Sequence, residues 1–199
     1  MDLGNNMNFL VPIFYFIFGG LAVLYYKRKG APKTPEDVVD NILKDAFKGT
    51  EKDSHKEAEL VRALYQNENF IKDLSLTAKY KGKTVGYILF TKIKINEEEL
   101  LALGPVGVMR RFQKKGVGKS LITQGQQLAK KKGFKGVFVA GDPNLFKKFG
   151  YKPASEFGIK APFEIPDENF MGIELVPGAF DGISGTLEYP QEFLDFMKN

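Results

Sequence analysis

Apolar residues recur at helical spacing twice in the first third of the domain. Val38, Val39, Ile42, Leu43, Ala46 and Phe47 line one helix face, and Thr34-Pro35-Glu36-Asp37 supplies an N-cap hydroxyl, a proline for the first turn and acids near the positive dipole end. Residues 56–66 repeat the pattern with Ala58, Leu60, Val61, Ala63 and Leu64. The period then drops to two. Residues 73–80 alternate apolar and polar, Lys81-Gly82 reverses the chain, and residues 84–95 return as a second strand. Past the acidic tip Glu97-Glu98-Glu99, residues 100–108 form a third strand interrupted by Gly104-Pro105. Proline cannot donate to a ladder, so pairing must break or bulge there.

The remainder alternates: a helix over residues 116–132, a short buried strand over 136–140, a short helix over 144–149 ending at Gly150, a strand over 170–176, and a helical turn or two over 190–197. This order predicts an α/β chain (an α+β mixed sheet) with one parallel, right-handed crossover in an otherwise antiparallel sheet. No internal repeat interrupts it.

The N-terminal pattern differs. Residues 3–26 carry no charge, Asp2 precedes them and Lys27-Arg28-Lys29 follow. As a helix, residues 9–26 would rise about 27 Å, close to one hydrocarbon thickness. A cleaved signal carries its positive charge ahead of the apolar run, not behind it. A segment apolar on every face suits lipid better than a core. The expectation is a membrane anchor over residues 1–29, a linker over 30–34 and a catalytic domain over 35–199. The basic flank puts the N-terminus outside and the domain in the cytoplasm, with residues 9–26 partnering the bilayer.

Net charge is +5, and the basic flank supplies three of those charges. The rest is spread over mixed Lys/Glu faces, without the aromatic–basic interleaving that stacks bases, so no nucleic-acid partner is expected. Absence of cysteine excludes disulfides, thiolate catalysis and cysteine metal sites. A single histidine, His55, sits in the polar run 52–56, where a solvated loop is its ordinary role. No metal is expected.

The chemistry concentrates at Gln113-Lys114-Lys115-Gly116-Val117-Gly118. A strand, a glycine turn and a helix start point several N–H groups and a helix dipole at one spot, a place for a pyrophosphate. Taken alone, such a turn is more often a plain helix start. The proline-broken strand next to the parallel step changes the balance. It leaves Val106 and Val108 facing a gap, where an extended amide-bearing ligand could complete the ladder. Coenzyme A carries amides at one end and a pyrophosphate at the other, and Lys114, Lys115 and Lys119 stand where its phosphates would lie.

The run from Leu103 through Arg111 to Gly118 resembles motif A of the GNAT superfamily of N-acetyltransferases, (Gln/Arg)-x-x-Gly-x-(Gly/Ala). The run Gly141-Asp-Pro-Asn-Leu-Phe-Lys-Lys-Phe-Gly-Tyr151, with the segments at 162–171, 174–178 and 184–190, resembles the YhbS-like branch. Glu57-Ala-Glu-Leu-Val61 and Val85-Gly-Tyr-Ile-Leu-Phe90 are similar as well. The likeness covers nearly everything after residue 34.

That resemblance implies a GNAT fold with a strand splay and direct transfer of acetyl from acetyl-CoA, as co-substrate, to an amine on a small molecule or protein. It further implies that Val106, Gly107 and Val108 meet the pantetheine arm, and that the amides of Gln113, Lys114, Lys115, Gly116, Val117 and Gly118, with Lys119, hold the pyrophosphate. Gly116 and Gly118 would allow an approach that a Cβ blocks. The family's tyrosine acid falls at Phe146, which leaves the acid role to water or the activity weak or absent. A CoA-binding regulatory module with little turnover is the alternative. For the base, Glu99 lies roughly 30 Å from Val108 along a strand, whereas Asp142 ends the strand beside the gap, either as base or as the Asp-Pro cap of the next helix.

Overall fold

The computed structural model describes residues 7–10, 35–49 and 56–198. Two helices, α1 (Pro35–Phe47) and α2 (Lys56–Tyr65), precede three long antiparallel strands, β2 (Phe70–Tyr80), β3 (Lys83–Ile95) and β4 (Glu98–Val108). Before them, the short strand β1 (Met7–Leu10) pairs with the outer edge of β2. Helix α3 (Val117–Lys131) carries the chain to β5 (Gly136–Ala140), which pairs parallel with β4. The short helix α4 (Pro143–Phe146) and the two-residue strands β6 (Lys152–Pro153) and β7 (Ile159–Lys160) lead to β8 (Phe170–Glu174). The pair-forming β9 (Gly185–Thr186) and helix α5 (Gln191–Lys198) close the chain. The seven-stranded order is β1-β2-β3-β4-β5-β8-β6, and β7 with β9 forms a separate parallel pair.

Alternation along the strands divides the interior in two. Leu100 and Ala102 of β4 face a core with Ile42 and Leu43 of α1, Leu60 and Leu64 of α2, and Phe193 of α5. Leu101 and Leu103 face the opposite core, built with Leu121, Ile122 and Ala129 of α3. Each buried leucine, isoleucine or phenylalanine among them contributes roughly 1.5–3 kcal/mol relative to exposure. The mixed sheet with its parallel step agrees with the pattern reading, and β5 starts and ends where the apolar run 136–140 placed it. The two-residue strands were missed because period two cannot register over two residues.

The anchor requires correction. Among the described residues no helix is long and apolar enough to cross a membrane. Phe9 and Leu10, which the pattern placed at the start of the span, lie instead in β1, paired with Ala78 and Thr77. That finding overturns the single-pass placement with its outward N-terminus, and it leaves the bilayer without support as a partner. Residues 11–34, the rest of the predicted span and linker, lie outside the described residues, as do Thr34 and the loop around His55.

Candidate functional site

The Gly104-Pro105 step does what proline in a ladder requires. Ile88 pairs with Val106 and Phe90 with Leu103, so the single residue Leu89 opposes both Gly104 and Pro105: a bulge on β4. The Gly104–Pro105 peptide is cis. Pairing of β4 with β5 ends at Leu103↔Val139, where the bulge begins. Beyond it the two strands part.

Backbone direction in the parted section follows from one hydrogen bond. The Met109 N–H donates to the Val85 carbonyl at 2.9 Å. With Gly86 opposite Val108 and Tyr87 opposite Gly107, antiparallel alternation turns the main-chain groups of Gly107 toward β3. Those of Val106 and Val108 turn the other way, into the gap. The gap thus receives Val106 and Val108 but not the Gly107 amide. Gly107 has a different task, since a Cβ there would stand 2.8 Å from Leu43 Cδ2, so its bareness lets α1 lie against β4. The Val108 carbonyl does not wait empty, because Gln113 Nε2 donates to it at 3.0 Å.

From Val108 the chain enters a 3-10 turn, Arg110–Phe112. The Arg110 N–H donates to Asp45 Oδ2 of α1 at 2.7 Å. The Phe112 ring lies 5.6 Å from that of Tyr80 on β2, with the Arg111 guanidinium 4.7 Å and the Lys115 ammonium 5.8 Å from its centroid. Loop 110–116 is therefore fixed at both flanks of the sheet. The Gln113 amide donates to the Arg110 carbonyl at 3.2 Å and is committed to the turn.

Donors free for a phosphate begin later. The first i→i−4 bond of α3 runs from Ser120 N–H to the Gly116 carbonyl at 2.9 Å, so the Val117, Gly118 and Lys119 amides precede the helical ladder. No side chain caps this helix start. Gly116 holds φ +83°, a left-handed conformation that L residues rarely adopt, and a Cβ there would meet nothing within 4 Å. At Gly118 a Cβ would touch Val108 Cγ2 at an ordinary 3.7 Å. Lys114, itself at φ 58°, and Lys115 and Lys119 are exposed around this turn.

On the α1/α2 side the gap opens into a cavity of about 200 Å³. Its floor is the parted strands, from Ala102 to Val106 of β4 and from Val139 of β5 through Gly141 and Asp142. Its walls come from elements far apart in sequence: Phe47 of α1, Glu57 and Leu60 of α2, Phe163, and Tyr189 with Phe193, Phe196 and Met197 of the C-terminal segment. Helix α5 is held in place by Asn67, whose Nδ2 donates to both carboxylate oxygens of Glu192 at 2.9 Å.

Asp142 reaches this cavity, and it is also the cap that the Asp-Pro pair suggested: it is exposed, and its Oδ1 accepts the Asn144 N–H at 2.8 Å. Phe146, at the position of the family's tyrosine, is buried on the cavity wall with its ring edge-on to Tyr151, 5.5 Å between centroids. Tyr151 belongs to the core on the α3 side, and burial pushes its phenol up, with Gln126 pulling weakly the other way. The pattern reading overlooked Glu57 and Tyr189. Glu57 is 2% exposed yet lines the cavity, and a carboxylate on the buried face of an amphipathic helix was the available signal. Among the described residues no cluster of three or more His, Cys, Asp or Glu is disposed to hold a metal.

Known proteins match this arrangement. Residues 37–151 match the acetyltransferase (GNAT) family. The uncharacterized N-acetyltransferase YjhQ of Escherichia coli K12 is 38% identical over 119 residues, 57% of this chain and 66% of that protein. The uncharacterized N-acetyltransferase YhbS of the same strain is 24% identical over 160 residues, 79% of this chain and 92% of that one. The crystal structure of Escherichia coli YhbS in complex with CoA superposes with a TM-score of 0.72 at 25% identity, over 80% of this chain and 86% of that one. A GNAT acetyltransferase of Brucella melitensis in complex with acetyl-CoA gives 0.64 at 27% identity, over 80% and 94%. With a strand gap, an uncapped helix start beside it and a match over more than half its length, this chain belongs to the GNAT family and is an N-acetyltransferase.

Proposed function

We propose that residues 35–199 form a domain that transfers acetyl from acetyl-CoA directly to an amine, with the parted strands and the α3 start as the coenzyme site. The observation that carries this is the end of β4–β5 pairing at the Gly104-Pro105 bulge, which turns the Val106 and Val108 main chain into an open gap beside uncapped helix amides. Both solved relatives named above are complexes of CoA or acetyl-CoA.

In this reading acetyl-CoA supplies an acetyl group activated as a thioester. Val106 and Val108 meet the amides of its arm as a neighbouring strand would. The Val117, Gly118 and Lys119 amides, with Lys114, Lys115 and the dipole of α3, hold the pyrophosphate. Gln113 serves through its side chain at Val108 rather than through its amide, and Gly107 serves by letting α1 close on the strand. The amine enters from the cavity on the α1/α2 side. Two carboxylates line that cavity, Glu57 and Asp142, and Asp142 gives one oxygen to its own helix cap.

Titrating CoA into the protein and into two variants tests the coenzyme site. Gly116→Ala and Gly116→Glu share the left-handed strain, about 1 kcal/mol each, so their melting temperatures fall together. Gly116→Glu also sets bulk and negative charge against the phosphates, and should weaken CoA binding at least tenfold more than Gly116→Ala does. Equal CoA affinity in the two would contradict the site. Phe146 in place of a phenol acid favours a second reading, a CoA-binding module with little turnover. Single-turnover transfer of radiolabelled acetyl to an amine would exclude that reading, whereas saturable CoA binding with no transfer to any amine would establish it.

A further inference from the structure

Phe146 leaves the cavity wall without a phenol where the family's tyrosine falls, and the C-terminal segment brings one from elsewhere. Among the described residues that line the cavity, Tyr189 is the one tyrosine. Two ring contacts fix where it stands. On one side it packs edge to face on Phe193, 5.3 Å between centroids, and Phe193 lies so close to β4 that a Cβ on Gly104 would stand 3.2 Å from its Cζ. On the other side it packs edge to face on Phe163 at 5.7 Å. Phe163 in turn lies on Phe170 at 6.0 Å, and Phe170 is the β8 residue opposite Ala140 at the end of β5. The Tyr189 ring is thus held between the bulge of β4 and the end of β5, over the point where the two strands part. Its hydroxyl has no hydrogen-bond partner among the described residues. The Tyr151 hydroxyl, by contrast, is sealed in the core on the α3 side.

We infer that the Tyr189 hydroxyl donates to the coenzyme's sulfur and is the acid that protonates the departing thiolate, a catalytic role moved from α4 to the C-terminal segment. The inference rests on the acetyltransferase reading above and adds to it a reacting group. In that reading the pyrophosphate lies at the α3 start, beyond Val108, and the arm runs back past Val108 and Val106. Its thioester end then reaches the closed end of the gap, at Gly104-Pro105 and Ala140, where Tyr189 stands. A hydroxyl without a partner in an apolar wall is unfavourable. The sulfur offers it an acceptor that strengthens as negative charge develops there. An acid must also keep its proton until the C–S bond breaks, and burial raises the Tyr189 phenol, which holds it neutral and ready to donate.

The proton account closes on this residue. The acceptor ammonium first gives a proton to water. The nitrogen lone pair forms the N–C bond, the C–S pair passes to sulfur, and the Tyr189 O–H proton follows it. The phenolate recovers the proton that the new amide nitrogen sheds, which leaves amide, thiol and the original phenol. The same hydroxyl would lower the pKa of a bound CoA thiol by stabilising its thiolate. The charged residues lining the cavity, Glu57 and Asp142, are carboxylates that push a nearby thiol the other way, and the rings against Tyr189 carry no charge.

The test uses the full chain and Tyr189→Phe, which keeps both ring contacts and removes only a hydroxyl that bonds nothing, so the melting temperatures should match. The CoA thiol is titrated in each complex from about pH 7 to about pH 10, by thiolate ultraviolet absorbance with the desulfo-CoA complex subtracted. The ionisation constant of the bound thiol should be at least tenfold larger in the unaltered protein, while the CoA dissociation constants stay within twofold. With saturating acetyl-CoA and propylamine as acceptor, the unaltered protein should also release CoA at least tenfold faster. A purely structural Tyr189 would move melting temperature or CoA affinity and leave thiol ionisation alone. Equal thiol ionisation in the two proteins, or equal release rates, would overturn the acid assignment while leaving the coenzyme site standing. Failure of the unaltered protein to bind CoA in a separate titration would overturn both.

Discussion

Tyr87 lies fully buried in β3, its hydroxyl 2.9 Å from Ser75 Oγ and 3.2 Å from the Tyr65 hydroxyl. Burial first, then the neighbouring Tyr65 phenol, push its pKa well above the ordinary value near 10. Burial likewise raises Tyr65, against the opposing hydrogen bonds of Tyr87 and Ser75, and it raises Tyr151 and Tyr189. The sign is fixed by which state holds the proton. Above about pH 10 unfolded phenols ionise while the folded ones stay neutral, so the folded state binds more protons and stability falls as pH rises. Below that range the contribution is fully present. Melting temperature should therefore hold level from about pH 7 to 9 and drop above about 10, and Tyr87→Phe should make the drop shallower while costing about 1 kcal/mol at neutral pH. A melting temperature level through pH 11 would contradict this account.

Among the elements, α1 and α2 form one wall of the cavity, and an ion pair ties them. Asp40, 6% exposed, accepts from the Arg62 guanidinium, with Lys44 farther off at 3.8 Å. Arg62 is half exposed, which weakens the pair, but removing it leaves Asp40 buried without that partner. Arg62→Ala should cost on the order of 1–2 kcal/mol, read as a lower urea midpoint at unchanged slope. A midpoint shift below a few tenths of a kcal/mol would mean Lys44 suffices. At this scale the sequence was most readable: amphipathic faces and alternation located α1, α2, α3 and the strands β2 to β5. Proline chemistry alone placed the bulge at Gly104-Pro105. The N-terminal apolar run was misread for a physical reason, since hydrophobicity has no direction: a charge-free run is equally suited to lipid and to a strand added at a sheet edge. β1 takes its first residues by the second route.

Across the whole molecule, what could not be read was convergence. Glu57, Phe163, Tyr189 and Phe193 lie more than a hundred residues apart at the extremes, and no local period says that they share one wall. The proposed coenzyme side could be named from the sequence because its candidate donors lie in one continuous segment, although which amides are available had to wait for the register: Gln113 and Gly107 are already committed in the turn and the ladder.

The bond from Gln113 Nε2 to the Val108 carbonyl has a thermodynamic corollary. Any incoming amide that claims this oxygen displaces an existing donor, so the exchange is close to neutral and adds little net affinity. In the proposed coenzyme site the attraction then rests on the α3 amides together with Lys114, Lys115 and Lys119, and these lysines are all exposed to mobile ions. Raising ionic strength from about 0.01 M to about 1 M shrinks the Debye length from about 30 Å to about 3 Å, and the CoA dissociation constant should rise at least tenfold over that range. Gln113→Ala, by contrast, should leave affinity nearly untouched or slightly improved, because it removes the incumbent.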